Sequence, residues 1–188
     1  LVVFVIHPIW SLGGNCDVGW ILVRLLCNFH GWITAQNRMT GTIMEIRQDD
    51  PASPLVGGLL AHHLQELQSV MADYAFALDA SGLSAANVTF WTAWQADTLL
   101  GFGALKELDG FHGEVKSMRA APAARRKGVG RAILNHIITE ARKRSYTRIS
   151  LETGTAPLHE PAIRLYRSAG FVSCDAFADY HQARIINS

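Results

Sequence analysis

Apolar residues recur at three- and four-residue intervals in three stretches of this chain and in short β-rich runs elsewhere, and the alternation of the two patterns lays out a fold. From Val129 the apolar positions are Val129, Ile133, Leu134, Ile137, Ile138 and Ala141, one face of an amphipathic helix. That helix closes on Arg142, Lys143 and Arg144, cations that complement the negative end of the helix dipole. A second helix is expected after Pro51 and Pro54, where "LVGGLLAHHLQELQSVMADYAF" carries Leu55, Leu59, Leu60, His63, Leu67 and Val70 at helical spacing. A third, "EPAIRLYRSAG", stops at Gly170.

Between them lie the strand signals. "TIMEIRQ" predicts a short opening strand, and "VTFWTAWQADTLLGFGALKEL" a hairpin about Gln95–Thr98. "EVKSMRA", "TRISLET" and "FVSCDAF" predict three more strands, separated by turns such as "DGFHG". Hairpins followed by strand–helix–strand–helix predict an α/β fold with a mixed central sheet flanked by helices. There are no internal repeats and no low-complexity tract.

The first 38 residues break the pattern. They hold three of the five tryptophans and two of the three cysteines, with almost no charge. "LVVFVIHPIW" is too short to span a membrane, and "VGWILVRLLCNFHGWI" is interrupted by Arg24, Asn28 and His30; a span needs about 20 largely apolar residues. The charged start of a signal peptide is absent as well. The expectation is therefore two parts, an atypical N-terminal segment 1–38, read as a leader with translation starting at Met39 or Met44, and a single domain 39–188. Were the segment native, "LVVFVI" would form a strand and seek a sheet edge.

Composition narrows the function. A chain of 188 residues with 49% hydrophobic content is one domain with a sizeable core. Net charge is only +1, which argues against a dedicated nucleic-acid binder. Cys16, Cys27 and Cys174 have no paired spacing, which fits a reducing, cytoplasmic setting. No H-x-x-x-H or HExxH spacing occurs, so no metal is expected. Charge is nevertheless local: Lys116, Arg119, Arg125, Arg126, Lys127 and Arg131 stand against Glu114 alone between residues 114 and 131.

Most of those cations crowd "ARRKGVGRAI". It is not a Walker A loop, because lysine precedes glycine and no hydroxyl follows; nor a dinucleotide fingerprint, because Ile133 stands where a third glycine belongs. What remains is strand, basic loop, Gly-x-Gly, helix. Glycines allow close approach of backbone, and helix amides with their dipole favour an anion. A phosphate site and a solvated helix start both satisfy this stretch alone.

The wider context, "SMRAAPAARRKGVGRAI" followed by "LETGTAPLHEPAIRLYRSAGF", resembles the GNAT superfamily of N-acetyltransferases. Its acyl-CoA signature, Arg/Gln-x-x-Gly-x-Gly/Ala, is matched at Arg125, Gly128 and Gly130, and the resemblance runs from about Ile43 to Ser188. It implies a mainly antiparallel sheet flanked by helices, the GNAT fold, with acetyl-CoA as co-substrate. It implies transfer of the acetyl group to a primary amine of a small molecule, amino acid or peptide by direct attack on the thioester. Pyrophosphate would lie on Arg125, Arg126, Lys127, Gly128, Val129, Gly130 and Arg131. A splayed strand would offer the backbone of Met118, Arg119 and Ala120 to the thioester and pantetheine. Family members commonly carry an asparagine before the closing helix that contacts the cofactor; here His159 stands there and is the expected cofactor contact. The family fold also ends in a further strand inserted beside the preceding ones, and since the chain stops at "RIINS" that strand is expected to be missing.

Acetyl transfer needs a base for the ammonium, a stabilised oxyanion and a proton for the thiolate. The resemblance puts Tyr166 in the place of the general acid, and a phenol is protonated at neutral pH. Glu114, opening its strand, is the expected base, with Glu152 as rival. His62 and His63 read as structural, and Trp91 and Trp94 as sheet core. Glu66, Asp73 and Asp79 on the acceptor side fit either the binding of a cationic amine or solvated helix and turn positions, with no decipherable motif to choose between them. A non-catalytic acyl-CoA-binding module is the alternative function. No nucleic-acid or membrane partner is expected, and a homodimer is compatible with the chain.

Overall fold

The computed structural model describes residues 2–7, 43–71, 78–175 and 177. The proposed starts at Met39, the three early tryptophans, Cys16, Cys27, Asp73 and "RIINS" lie outside those residues. The described strands are β1 (Val2–Ile6), β2 (Met44–Gln48), β3 (Val88–Gln95), β4 (Thr98–Asp109), β5 (His112–Ala120), β6 (Arg148–Thr153) and β7 (Val172–Ser173). The helices are α1 (Pro54–Met71), the one-turn α2 (Ala80–Leu83), α3 (Val129–Lys143) and α4 (Glu160–Ser168). The sheet order is β2-β3-β4-β5-β6-β1-β7. Every pairing is antiparallel except β5 with β6. The mixed, mainly antiparallel sheet is as expected.

Helix α3 forms where its stripe predicts, and Val129, Ile133, Leu134, Ile137, Ile138 and Ala141 are all buried. They pack on Trp91, Leu105, Val115, Ile149 and Leu151 of the sheet. Gly103 makes that approach close: a Cβ there would stand 2.7 Å from Ile133, so any larger residue pushes α3 off the sheet. The opposite face is covered by Val56, Leu60 and Leu83 against Phe90, Phe102 and Ala104. The inward stripe of α1 is therefore Val56, Leu60 and His63, while Leu55 is exposed. Sequence spacing misassigned Leu55 because it sits in the first turn, where the stripe has only one flanking turn to define it.

One expectation fails in a useful way. Val2–Ile6 is a strand, but it occupies an interior position and no edge. It pairs with β6 from Val2↔Thr153 to Ile6↔Ile149, and its other side pairs with β7 at Phe4↔Ser173 and Val5↔Val172. Phe4 is fully buried within the core beneath α3 and α4. The reason is physical: an apolar strand buried on both sides satisfies two ladders, whereas an edge leaves one row of amides bare. The place beside the preceding strands that the resemblance reserves for a final strand is held by β1. "FVSCDAF" contributes only the two-residue β7.

Candidate active site

The site starts from a fork in the sheet. β5 and β6 run parallel and pair only over His112↔Arg148 to Val115↔Leu151. Beyond Val115, β5 continues to Ala120 and β6 to Thr153 with no pairing between them. A bulge drives the divergence. Ladder partners on β4 step from Phe102↔Arg119 to Ala104↔Lys116, and Ser117 takes a left-handed φ of 46°. Met118, Arg119 and Ala120 lie on this stretch, which is unpaired toward β6 while Arg119 and Ala120 still pair with Phe102 and Gly101 of β4.

From Ala120 the chain passes a 3₁₀ turn, Pro122–Ala124, into the basic loop and α3. Arg126 and Gly128 both have positive φ, 62° and 83°. At Gly128, which caps α3, glycine removes the strain that any other residue carries there. The first α3 bond runs from the Ala132 N–H to the Gly128 carbonyl at 3.0 Å, so the amides of Val129, Gly130 and Arg131 have no acceptor within the helix. Arg126 and Lys127 are exposed beside them. Two expected cations point elsewhere: Arg131 donates to Ser168 Oγ at 3.0 Å, and Arg125 reaches Glu66 at 3.3 Å.

The acids gather at the fork. Glu114 is 2% exposed and ion-paired with Lys116 at 3.1 Å. Glu152 lies near the pair. Burial lifts its carboxyl to about 7, with Glu114 pushing the same way and Lys116 opposing. Tyr166 is buried, its ring 6.4 Å from Phe4 and 6.0 Å from Phe171. Burial and the Glu152 charge push its phenol well above the ordinary range. The four groups thus share one electrostatic environment, in which the tyrosine keeps its proton and Glu152 exchanges one near neutrality.

The other wall is cationic. Arg119, nearly buried, is ion-paired with Glu66 of α1, which also holds Arg125. His63 is 6% exposed and edge-on to Phe102 at 5.8 Å. Burial and the Arg119 charge lower it to about 4. His159 is buried against Gly154, where a Cβ would lie 2.5 Å from its ring. Burial lowers its pKa as well. Asp79 sits apart from the fork, accepting the Gly82 N–H at 2.8 Å as the cap of α2. Trp91 and Trp94 are buried sheet residues.

Sequence reasoning named Lys116 and Glu66 without the partners they have in the fold. Lys116 lies two residues after Glu114, hence on the same strand face, so the pair was legible in the period of two. The link from Glu66 to Arg119 and Arg125 spans α1, β5 and the loop, and had no local signal. Among the described residues no group of three or more His, Cys, Asp or Glu could hold a metal ion. No described helix is long and apolar enough to cross a membrane.

Comparison with known proteins agrees with this architecture. Residues 43–171 match the model of the acetyltransferase (GNAT) family. The chain is 47% identical over 138 residues to YsnE of Bacillus subtilis (strain 168), designated an uncharacterized N-acetyltransferase, covering 73% of this chain and 91% of that protein. It is 45% identical over 136 residues to YedL of Escherichia coli (strain K12), of the same designation, covering 72% and 86%. A Klebsiella pneumoniae structure bearing the acyl-CoA N-acyltransferase designation aligns with TM-score 0.59 at 25% identity, covering 73% of this chain and 89% of that one.

Proposed function

This chain belongs to the acetyltransferase (GNAT) family of N-acetyltransferases, and from that premise we propose that it moves an acetyl group from acetyl-CoA to a primary amine of a small molecule, amino acid or peptide, with the fork between β5 and β6 as its active centre. The observation that carries this reading is the adjacency of that fork to an anion cradle. Unbonded α3 amides, the Gly128 turn, Arg126 and Lys127 suit a pyrophosphate. The unpaired edge of Met118–Ala120 suits an extended arm held by strand-like hydrogen bonds.

Acetyl-CoA supplies an activated acetyl group and a thiolate leaving group. The chain's own residues do the rest. Backbone amides on the β5 side of the fork orient the acetyl carbonyl and stabilise negative charge on its oxygen. Glu152, poised near 7, takes the proton of the incoming ammonium, directly or through a water. Tyr166, held protonated, donates to the departing sulfur. Glu114 is the base expected from its place on its strand, but its ion pair with Lys116 commits the carboxylate, which makes Glu152 the better base. Glu114 and Lys116 set the charge around it.

The test is turnover in the intact chain, read as release of free CoA thiol with an amine panel. Tyr166→Phe is expected to lower kcat by about 10²-fold or more while acetyl-CoA still binds. A chain that binds acetyl-CoA, acetylates no amine and is indifferent to Tyr166→Phe would instead be the non-catalytic acyl-CoA-binding module.

A further inference from the structure

Buried polar atoms in a folded chain are almost always hydrogen-bonded, and among the described residues most of the exceptions fall on three side chains, Ser117 Oγ and His136 Nε2 being the others. His63 Nδ1, both ring nitrogens of His159 and Nε of Arg119 are buried with no hydrogen-bond partner. They come from α1, the turn after β6 and the end of β5 beyond its ladder with β6. They also act on one another: the Arg119 charge bears on both imidazoles, and His159 bears on His63. His63 and His159 are more than nine-tenths buried.

The chemistry of this wall selects its ligand. Arg119 is a permanent cation with a planar fork of donors, and each neutral imidazole brings one N–H. A cationic group entering here finds no carboxylate but Glu66, which Arg119 and Arg125 already hold, and an apolar group leaves the nitrogens unsatisfied. A planar anion satisfies all three, and a carboxylate is the planar anion that matches a guanidinium. Glu66 shows the fit, since its own carboxylate already approaches Arg119 while Nε stays unpaired. The acids of the fork, Glu114 and Glu152, lie on the other wall, where an ammonium belongs.

We propose that His63, His159 and Arg119 form a carboxylate subsite for the acyl acceptor, so that the acceptor is a free amino acid whose amine faces Glu152, and not a polycationic amine. This rests on the acetyltransfer reading. It assigns to substrate recognition His63, read from the sequence as structural, and His159, expected from the resemblance at the cofactor.

The experiment uses the full chain, with and without saturating acetyl-CoA, titrated with each protein L-amino acid and with its α-amide. Two readouts run together, the imidazole NMR signals of His63 and His159 and acetyl transfer. At least one amino acid is expected to shift both imidazoles and be acetylated, with kcat/KM lower by about 100-fold or more for its amide, as a site built to bond a polar group rejects the analogue lacking it. His63→Gln should raise the amino acid KM about tenfold or more, move the acetyl-CoA KM far less, and narrow the acid-to-amide gap. Arg119→Lys, which keeps the charge but loses the fork, should narrow that gap too, guarding against a fold defect in His63→Gln. Amides used as well as acids, equal shifts of both KM values, or imidazoles unmoved by every amino acid would overturn the proposal. An anion bound only without acetyl-CoA would also overturn it, marking the wall as part of the cofactor's phosphate site. Absence of acetyl-CoA binding would sink the acetyltransfer reading, while the imidazole titration still judges the subsite.

Discussion

Strands β2 to β5 and strands β6, β1 and β7 share one sheet but are assembled on opposite terms. In the first group each strand pairs antiparallel with its neighbour in sequence, and the β3–β4 hairpin turns at Ala96 and Asp97. In the second, β1 lies between strands that follow it by more than 140 residues, with Phe4 opposite Leu151 and Ser173. Local pairing closes small loops and is cheap in entropy, whereas β1 must be brought back across most of the chain. The two groups meet at the four-residue parallel ladder of β5 and β6, and the fork opens where that ladder ends. The reactive groups therefore sit on a seam, held from one side by a self-specifying meander and from the other by a strand of remote origin.

The comparison can be broken most forcefully at Phe4. Phe4→Ala should cost about 3–5 kcal/mol, the range for a fully buried aromatic, read as a lowered urea midpoint. Hydrogen exchange should then speed first in β6, β1 and β7 while β3 and β4 stay protected. Phe102→Ala, equally buried in the meander half, should cost a similar amount and expose the whole sheet together. Uniform exchange in both variants would mean the halves do not differ in kind.

A smaller effect is expected at Glu152. Its folded carboxyl is raised from 4.5 to about 7, so between those values the folded state holds more protons than the unfolded one. The favourable contribution is present below 4.5 and lost as pH rises through 7. Glu152→Gln should remove that slope from the stability profile and also remove the rise of kcat/KM through about pH 7. The least effect belongs to Arg125→Gln, which leaves the nearly buried Arg119–Glu66 pair in place. Arg125 is half exposed where it reaches Glu66, and such pairs contribute about 0–1 kcal/mol. Because Arg125 is turned to Glu66, its loss should weaken acetyl-CoA by less than about fivefold, measured by equilibrium binding.

What the sequence disclosed follows the same division. The α3 stripe, the β3–β4 hairpin and the Gly128 turn are local and were legible from period and turn chemistry. The place of β1 was not, because a short apolar run carries no record of its partners. Tyr166 was identified through the resemblance and Glu114 from its place on its strand; the pairing with Lys116 follows from the period of two, whereas the raised carboxyl of Glu152 depends on burial that only the folded fork creates. His63 read as a core residue because its stripe position is a core position. Its unpaired nitrogen appears only when Arg119 and His159 are brought beside it.

The most direct measurement is a calorimetric titration of acetyl-CoA into the full chain beside the Arg126→Glu, Gly128→Glu double variant. The account predicts affinity in the micromolar range, weakened by about 100-fold or more in the variant, which stays folded with a urea midpoint lowered by the about 1–2 kcal/mol that a non-glycine residue costs at the left-handed position of Gly128. A folded wild-type chain that takes up no acetyl-CoA, or a double variant that binds it equally well, would contradict the assignment of this loop.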